Sequence, residues 1–585
     1  MSDPSWIAPS ELRVGLGCMR LSTDVDRDEA VGVATIAAAT DAGVTIFDTA
    51  HAYGLNAADA GHNERLLARA LRSAGVERRV RIVTKCGMTR TDDGWVADGR
   101  AKTILADCEA SLTALDGLPI DLQLIHAPDP RTPWRTSVRA LGRLLDEGMV
   151  RRIGLSNINR RQLDEALDLV DVAAVQVALS VVDRNALRGG IVERCDTRGV
   201  AVIAHSPLGG PRRAPGLERV EVLSQIAAYH HVAPAEVAIA WLLSLSAALV
   251  VIPGARRPAS AVSSAHAATL KLDASERAQL HAALGQARAT VRSPAASASA
   301  SAGAEIVMVM GIPASGKSRA TAEHVANGYR RLNRDERGGT LHGIAGALDA
   351  ELASGGRRFV LDNTYLTRAT RSYVIEIAIR HAVPVRCIWM DTPLAQAQVN
   401  MIERLLDRFG VLPAPAELQA LSRREPGVLT PTSQMRMLRE LEPPVLDEGF
   451  ASLDHVPFVR SPGSRTNAGV FVAADVLSGS GWHTAIELAD PSAPHLVFDW
   501  APDGNVDTIG ENVARLAARV TGGVEVAVCA HPGGPPTCWC RPPLPGLLLA
   551  FARAHGVDTA RSTVIGTTPA HRTLANAIGA RYHAV

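Results

Sequence analysis

Lysine is nearly missing from this chain. The 585 residues contain Lys85, Lys102, Lys271 and Lys317, and arginine supplies the other 57 of 61 basic residues. Where arginine is the default cation, a retained lysine marks a place for a compact, titratable ammonium. Cysteine is also sparse, with eight residues, which excludes a disulfide scaffold. Excess charge is missing too. With 61 basic against 60 acidic residues the net charge is +1, so no global field draws in nucleic acid and any basic groove must be local. No run of about 18 apolar residues occurs, and the opening MSDPSWIAPSELRVG lacks an apolar core of signal-peptide length. The expectation is a cytoplasmic protein without a membrane partner. Hydrophobic residues at 47% and charged residues at 21% exclude wholesale disorder.

Residues 292–304, RSPAASASASAGA, cannot bury a core and read as a flexible linker. A softer boundary falls at SPGSRTNAG, 461–469. Three modules follow: 10–290, 305–460 and 465–585, with the linker at 291–304. The first shows eight short apolar runs: Arg13–Gly17, Val44–Asp48, Val80–Lys85, Asp121–His126, Arg152–Leu155, Ala174–Val177, Ala201–His205 and Leu249–Pro253. Amphipathic segments such as ERLLARALRSAG separate most of them. That alternation predicts an α/β fold, a (β/α)₈ barrel whose chemistry sits where the strands end. Polar residues gather there: Asp48, Lys85, His126, Ser156, Asn157, Gln176, His205 and Ser206.

The strings FDTAHAYG, VTKCG and LIHAPD put Asp48, Tyr53, Lys85 and His126 at or just after successive strand ends. With GLGCMRL, HNERLLARAL, GLSNIN, AVQVALSVVDR, AHSPLGG and VVIPGARRP, the module resembles the aldo-keto reductase family over nearly all of 10–275. The resemblance implies hydride transfer from NADPH to a carbonyl. Tyr53 would be the proton donor, Lys85 would lower its pKa, Asp48 would hold Lys85, and His126 would fix the carbonyl oxygen. It also implies Ser156, Asn157 and Gln176 around the nicotinamide. Ser206, Leu208 and Arg256 would lie along the pyrophosphate and adenosine, with Arg256 meeting a 2′-phosphate. Ser260 to Ser264 replace the family's adenine-gripping residues. His51, His205 and Cys86 read as packing or pocket lining.

In AEIVMVMGIPASGKSRATAEHV a buried strand runs into Gly311-x4-Gly316-Lys317-Ser318 and then a helix. This is a phosphate-binding loop in its required context. Its backbone, including Ser315, would wrap the phosphates of ATP, Lys317 would reach the terminal oxygens, and Ser318 would ligate Mg²⁺. Downstream come Asn333-Arg334-Asp335, then Asp362-Asn363-Thr364 with Arg368 and Arg371. Arg404 and Arg408 lie four apart on one helical face. The module resembles the polynucleotide kinases of end-healing enzymes. The resemblance implies Asp335 as general base on a 5′-OH, Arg404 and Arg408 as lid arginines, and Arg337 as the nearest candidate for acceptor contact. The stretch 436–450 reads as a connector.

The third module carries Cys529-x-His531-x6-Cys538-x-Cys540, a spacing suited to structural Zn²⁺. CRPPLPGLLLAFARAHGVD and VIGTTPAHRTLANAIGA resemble the end of haloacid dehalogenase-like phosphatases. That family's acids are not matched: Asp499 and Asp503 have the wrong spacing, Leu544 stands at the lysine position, and Thr567 and His571 at the late acids. The expectation is a degenerate unit without phosphatase activity that packs on the kinase or shapes its acceptor groove. Taken together, the chain reads as an NADPH-dependent carbonyl reductase joined to an ATP/Mg-dependent kinase of 5′-OH nucleic acid. Two alternatives stand beside it. One is a metabolic reductase-kinase acting on a small aldehyde or sugar, the kinase phosphorylating the alcohol that the barrel makes. The other is a kinase with an NADPH-sensing barrel that does not turn over.

Overall fold

A computed structural model describes all residues except 1–5, 9–10, 92–93, 285–302, 461–464, 479–482, 484–486, 488–489 and 503–506. The linker read at 291–304 therefore lies almost wholly outside the described residues, as do Asp503 and part of the boundary at 461–469. The chain divides into two compact units, residues 1–291 and 292–585.

The first unit is built on one eight-stranded parallel sheet. Its strands are Leu16–Gly17, Ile46–Asp48, Arg81–Cys86, Leu122–Ile125, Ile153–Ser156, Ala174–Ala178, Ala201–His205 and Leu249–Ile252, in sequence order around the sheet. Bridges from Val14 to Val251 and from Gly17 to Gly254 join first and last strands. The (β/α)₈ barrel is thus closed and has no free edge. Inward-facing Ile46, Val83, Leu122, Leu124, Ala174, Ile203 and Val250 fill the interior, with Trp6 against them. Helices such as His62–Ser73 and Trp134–Asp146 lay their apolar stripes on the outside of the barrel. Caps fix where helices begin. Asn159 accepts from the Gln162 N–H while the Gln162 side chain accepts from the Asn159 N–H, a reciprocal box that starts Arg160–Leu167. One hairpin, Met88–Thr91 with Gly94–Ala97, stands outside the barrel alternation.

The second unit holds two five-stranded parallel sheets. In one the order is Arg330–Leu332, Arg358–Asp362, Glu305–Met310, Val385–Asp391, Ser452–Pro457. The phosphate-loop strand Glu305–Met310 is central, with all but Glu305 buried. The stretch 436–450 is more than a spacer. It leads into Ser452–Pro457, which pairs with Val385–Asp391, and the fully buried Arg371 clamps it. The Arg371 guanidinium donates to both Glu448 oxygens at 2.7 Å and to the Glu442 carbonyl at 2.9 Å.

The other sheet runs Val524–Cys529, His495–Trp500, Val470–Ala473, Thr563–Gly566, Arg581–Ala584. Its core is continuous with the first. Met401, Ile402, Leu405 and Leu406 of the helix Leu394–Phe409 share one buried cluster with Phe471, Trp539, Leu548 and Leu574. The two halves of this unit fold as one body. Among the described residues no single helix is long and apolar enough to cross a membrane. The pair Glu221–His230 and Pro234–Ser244 passes together by length and composition but bends by 99°.

Candidate active sites

At the carboxyl end of the barrel, neighbouring strands bring Asp48 and Lys85 together. The Lys85 ammonium donates to Asp48 Oδ1 and Oδ2 at 2.8 and 2.7 Å and to the Thr49 carbonyl at 2.8 Å. It lies 4.9 Å from the Tyr53 ring centroid. Both residues are almost fully buried. Burial opposes charge on Lys85, but Asp48 and Tyr53 win and raise its pKa, so it stays an ammonium. His126 meets Tyr53 edge-on at 5.6 Å. Burial, Lys85 and His205 push His126 well below the usual histidine range, so its imidazole is neutral. His205 is pushed down to about 4 by burial and Lys85.

These side chains open on a cavity of about 310 Å³ lined by Asp48, Tyr53, His126, Asn157, Gln176, His205, Ser206, Leu208 and Gly254. Asn157 donates to the His126 carbonyl at 3.0 Å, and its side-chain oxygen sits 3.1 Å from His205 Nε2. His205 therefore takes part in the lining hydrogen-bond network. Ser156 is buried beside Asn157, whose side chain donates to Ser156 Oγ at 3.2 Å.

Three features differ from the expectation. Burial outweighs Lys85 at Tyr53, so the phenol pKa is raised, not lowered, with Lys85 pulling the other way. Gln176 donates to Asp48 Oδ1 at 2.6 Å, tying its amide to the Lys85 pair. Arg256 pairs with Asp26 at 2.9 Å and with Asp24 at 3.3 Å, so two carboxylates already hold the guanidinium read as a 2′-phosphate partner. Sequence reading missed Trp95. From the hairpin its ring reaches within 6.0 Å of Tyr53 and 6.2 Å of His126. The Asp-Gly step before it was the available hairpin signal.

The second cavity, about 610 Å³, lies over the phosphate loop. It is lined by Gly316, Lys317, Ser318, Arg319, Arg331, Asn333, Arg334, Asp335, Asp362, Asn363, Asn400, Arg404 and Leu429, among others. Gly311 has φ +146°, and a Cβ there would fall 2.7 Å from the Met390 carbonyl and from Ser315 Oγ, so only glycine fits the turn. The Ser315 side chain is buried toward Gly311 and is not part of the lining; its backbone belongs to the loop. Lys317 donates to the carbonyls of Gly311 and Ile312 at 3.0 and 2.9 Å. Burial and the charge of Arg404 lower its pKa to about 8 despite Asp362 and Asp335.

Asp335 is half exposed on a one-turn helix, Arg334–Arg337, capped by Asn333, which accepts from the Asp335 N–H at 2.7 Å. Arg337 does not line the cavity; Arg319, Arg331 and Arg334 do. Residues two apart on a helical turn face opposite sides, so Arg337 cannot share the face of Asp335. Arg408 also falls outside. It pairs with Glu425 and donates to the Pro426 carbonyl at 3.3 Å, one turn beyond Arg404. Asp362, at a strand end beside the loop and paired with Arg331, went unassigned in the sequence reading.

In the last sheet the central strand is Val470–Ala473, and Asp499 lies on the neighbouring strand His495–Trp500. The carboxyl end of the central strand carries Ala473 and Ala474, then Asp475. Asp475 accepts a hydrogen bond from Thr567 Oγ1. Burial raises the Asp499 pKa, helped by the charge of Asp475. Ligand atoms of Cys529, His531, Cys538 and Cys540 all lie within 4.8 Å of one another. Separations of 3.4 Å for Cys529–His531, 3.2 Å for His531–Cys540 and 3.7 Å for Cys529–Cys538 match a tetrahedron with bonds of about 2.0–2.3 Å.

A closed parallel barrel with Asp, Tyr, Lys and His at its carboxyl mouth is the architecture of a reductase. Residues 13–284 match the Aldo/keto reductase family. The chain is 31% identical over 271 residues to "Probable aldo-keto reductase 1" of Glycine max, a match spanning 41% of this chain and 76% of that protein. The chain belongs to the aldo/keto reductase family. Solved structures similar to it include a thermostable aldo-keto reductase bound to the inhibitor epalrestat, 29% identical, TM-score 0.40, covering 46% of this chain and 94% of that one. Another is an aldo/keto reductase of Klebsiella pneumoniae with NADP and acetate, 25% identical, TM-score 0.40, covering 46% and 90%. Residues 306–411 match an AAA domain. The chain therefore joins a reductase barrel to a P-loop, kinase-like domain.

Proposed function

We propose that the chain is a bifunctional enzyme, an NADPH-dependent carbonyl reductase joined to an ATP- and Mg²⁺-dependent kinase of 5′-hydroxyl nucleic-acid ends. The observation that carries the first half is the buried Asp48–Lys85 pair beside Tyr53 in a cavity with His126. The nicotinamide, when bound, supplies hydride to the carbonyl carbon. Tyr53 then gives its proton to the carbonyl oxygen; burial keeps that proton in place at neutral pH, and Lys85 favours the phenolate left behind. Neutral His126, which lines the cavity, offers a hydrogen bond to the oxygen. Ser156, Asn157, Gln176, Ser206 and Leu208 would hold the cofactor. A 2′-phosphate reaches Arg256 only by displacing Asp24 or Asp26.

In the second unit ATP supplies the phosphoryl group. Lys317 and Arg404 neutralise its charge, Ser318 and Asp362 would hold Mg²⁺, and Asp335 takes the proton of the acceptor hydroxyl. Arg319, Arg331 and Arg334, not Arg337, line the cavity; Arg331 already pairs with Asp362 and Glu336, so a phosphate-bearing acceptor would compete with those carboxylates for it. The position of Arg337 outside the cavity favours one alternative, a kinase of a small alcohol made by the barrel. Cys529, His531, Cys538 and Cys540 would bind structural Zn²⁺. The last sheet is read as a degenerate haloacid dehalogenase-like unit, since Ala473 ends its central strand where that chemistry needs a nucleophile.

The test uses γ-labelled ATP, Mg²⁺ and full-length protein, with 5′-OH RNA, 5′-OH DNA, sugars and nucleosides as acceptors and Asp335→Ala as control. Label on an oligonucleotide end, lost in the variant, is the expected result. Label on a small alcohol only would replace the end-healing reading with the metabolic one. For the barrel, NADPH oxidation across an aldehyde panel is compared with Tyr53→Phe. Cofactor binding without turnover would leave a sensor.

A further inference from the structure

Trp539 stands between two of the four metal-ligand positions, Cys538 and Cys540, yet its side chain faces the kinase. It is 1% exposed and packs in the cluster that contains Leu405, Leu406, Leu418 and Val428, as well as Ala314 of the phosphate loop. Its indole Nε1 donates to the Leu429 carbonyl at 3.0 Å. Leu429, with Pro426 and Gly427, forms one wall of the phosphate-loop cavity. That wall backs the lid. A Cβ on Gly427 would meet the Arg404 guanidinium at 3.4 Å, and Arg408 donates to the Pro426 carbonyl. The ligand loop is seated tightly on this surface. Gly546 donates to the Trp539 carbonyl at 3.1 Å, and a Cβ on Gly546 would lie 2.4 Å from that carbonyl oxygen and 2.7 Å from Leu412.

We infer that Trp539 is a positioning residue for the kinase site. Metal bound by Cys529, His531, Cys538 and Cys540 fixes the loop that carries Trp539, and Trp539 holds the 426–429 wall and Arg404 in place. The C-terminal sheet would thus serve phosphoryl transfer by positioning, with Trp539 as the contact that reaches the cavity wall, instead of through chemistry of its own. The inference rests on the reading of the four ligands as a metal site. The physical argument is one of constraint. Without metal, three thiols and an imidazole have no common centre to hold them within 4.8 Å, and the indole loses the anchors on both sides. The Leu429 carbonyl then loses its indole donor, and the buried indole N–H loses its acceptor, which costs the free energy of an unpaired polar group.

The experiment follows a fluorescent ATP analogue binding to full-length protein, metal-free and loaded with Zn²⁺, in excess Mg²⁺. Zinc stoichiometry is measured separately with a chromogenic chelator. One equivalent of zinc, lost in Cys538→Ser, and nucleotide affinity raised by at least about fivefold on loading are expected, a typical size for coupling between sites. Trp539→Phe should keep its zinc and lose the zinc effect. Trp500→Phe removes a second indole donor to this loop: Trp500, at the end of the strand His495–Trp500, donates to the His531 carbonyl at 2.8 Å. It should keep both zinc and the effect. Zinc bound with no change in nucleotide affinity would overturn the inference and leave the metal site standing. An effect undiminished in Trp539→Phe would overturn the role of Trp539. No zinc at all would overturn the metal site and the coupling with it.

Discussion

Two lysines sit in two sites, and they are held in opposite ways. Lys85 is enclosed by a carboxylate, a backbone carbonyl and a phenol, and its pKa is raised. Lys317 donates to the loop carbonyls of Gly311 and Ile312, with no carboxylate bonded to it among the described residues, feels the charge of Arg404, and falls to about 8. The barrel carries its counter-charge as part of the fold. The phosphate loop leaves that place open, so an anionic ligand completes it. The first site is assembled before substrate arrives; the second is assembled by its substrate.

The sharpest way to break this contrast is Lys317→Met. Phosphoryl transfer should fall by roughly 10³-fold or more, since the residue's work is on the ligand's charge, while the melting temperature holds within a few degrees. Carbonyl reduction by the same protein should be unaffected. Lys85→Met should cost the reductase roughly 10²–10⁴-fold. Unlike the first, it should also destabilise the barrel by about 3–5 kcal/mol, because Asp48 is left charged and buried. Adding Asp48→Asn should recover stability without activity, as read by chemical denaturation.

The pH responses should diverge. The empty Lys317 loses its proton above about pH 8, and a phosphate site needs the cation. Nucleotide affinity should therefore weaken toward tenfold per pH unit beyond that point. Carbonyl reduction should stay level from about pH 5 to about pH 9, with His205 at about 4, His126 already neutral and Tyr53 above its ordinary value. The smallest effect is expected at Arg256. Because Asp24 and Asp26 compete for it, Arg256→Ala should raise the KM for NADPH by less than about tenfold and leave kcat unchanged.

What was legible in the sequence is what depends on near neighbours. Eight strands and the residues at their ends follow from local alternation, and the phosphate loop follows from eight consecutive positions. The errors have two causes, contact across distance and the fine geometry of a helical turn. Arg256 is claimed by acids some 230 residues away. Arg404 and Arg408 do share a helical face, but one turn of helix is enough to carry Arg408 past the cavity to Glu425. Arg337 fails on a finer point, since a one-turn helix separates the faces of i and i+2. No central strand of the last sheet is assigned from the sequence, because strand order is not visible in periodicity. Trp95 reaches the barrel mouth only because a hairpin folds back over it.

The scarcity of lysine has a practical side. Lys85 is sealed beneath the barrel mouth, whereas Lys102 and Lys271 are the exposed lysines and both belong to the first unit. Bulky side-chain amine reagents, which need an exposed lysine, will therefore mark or tether this protein through the barrel. The one lysine of the second unit has a pKa of about 8, low enough for a free amine near neutrality. An acylating probe shaped like a nucleotide would find a single target there, and protection of that lysine would report occupancy of the phosphate loop without any enzymatic assay.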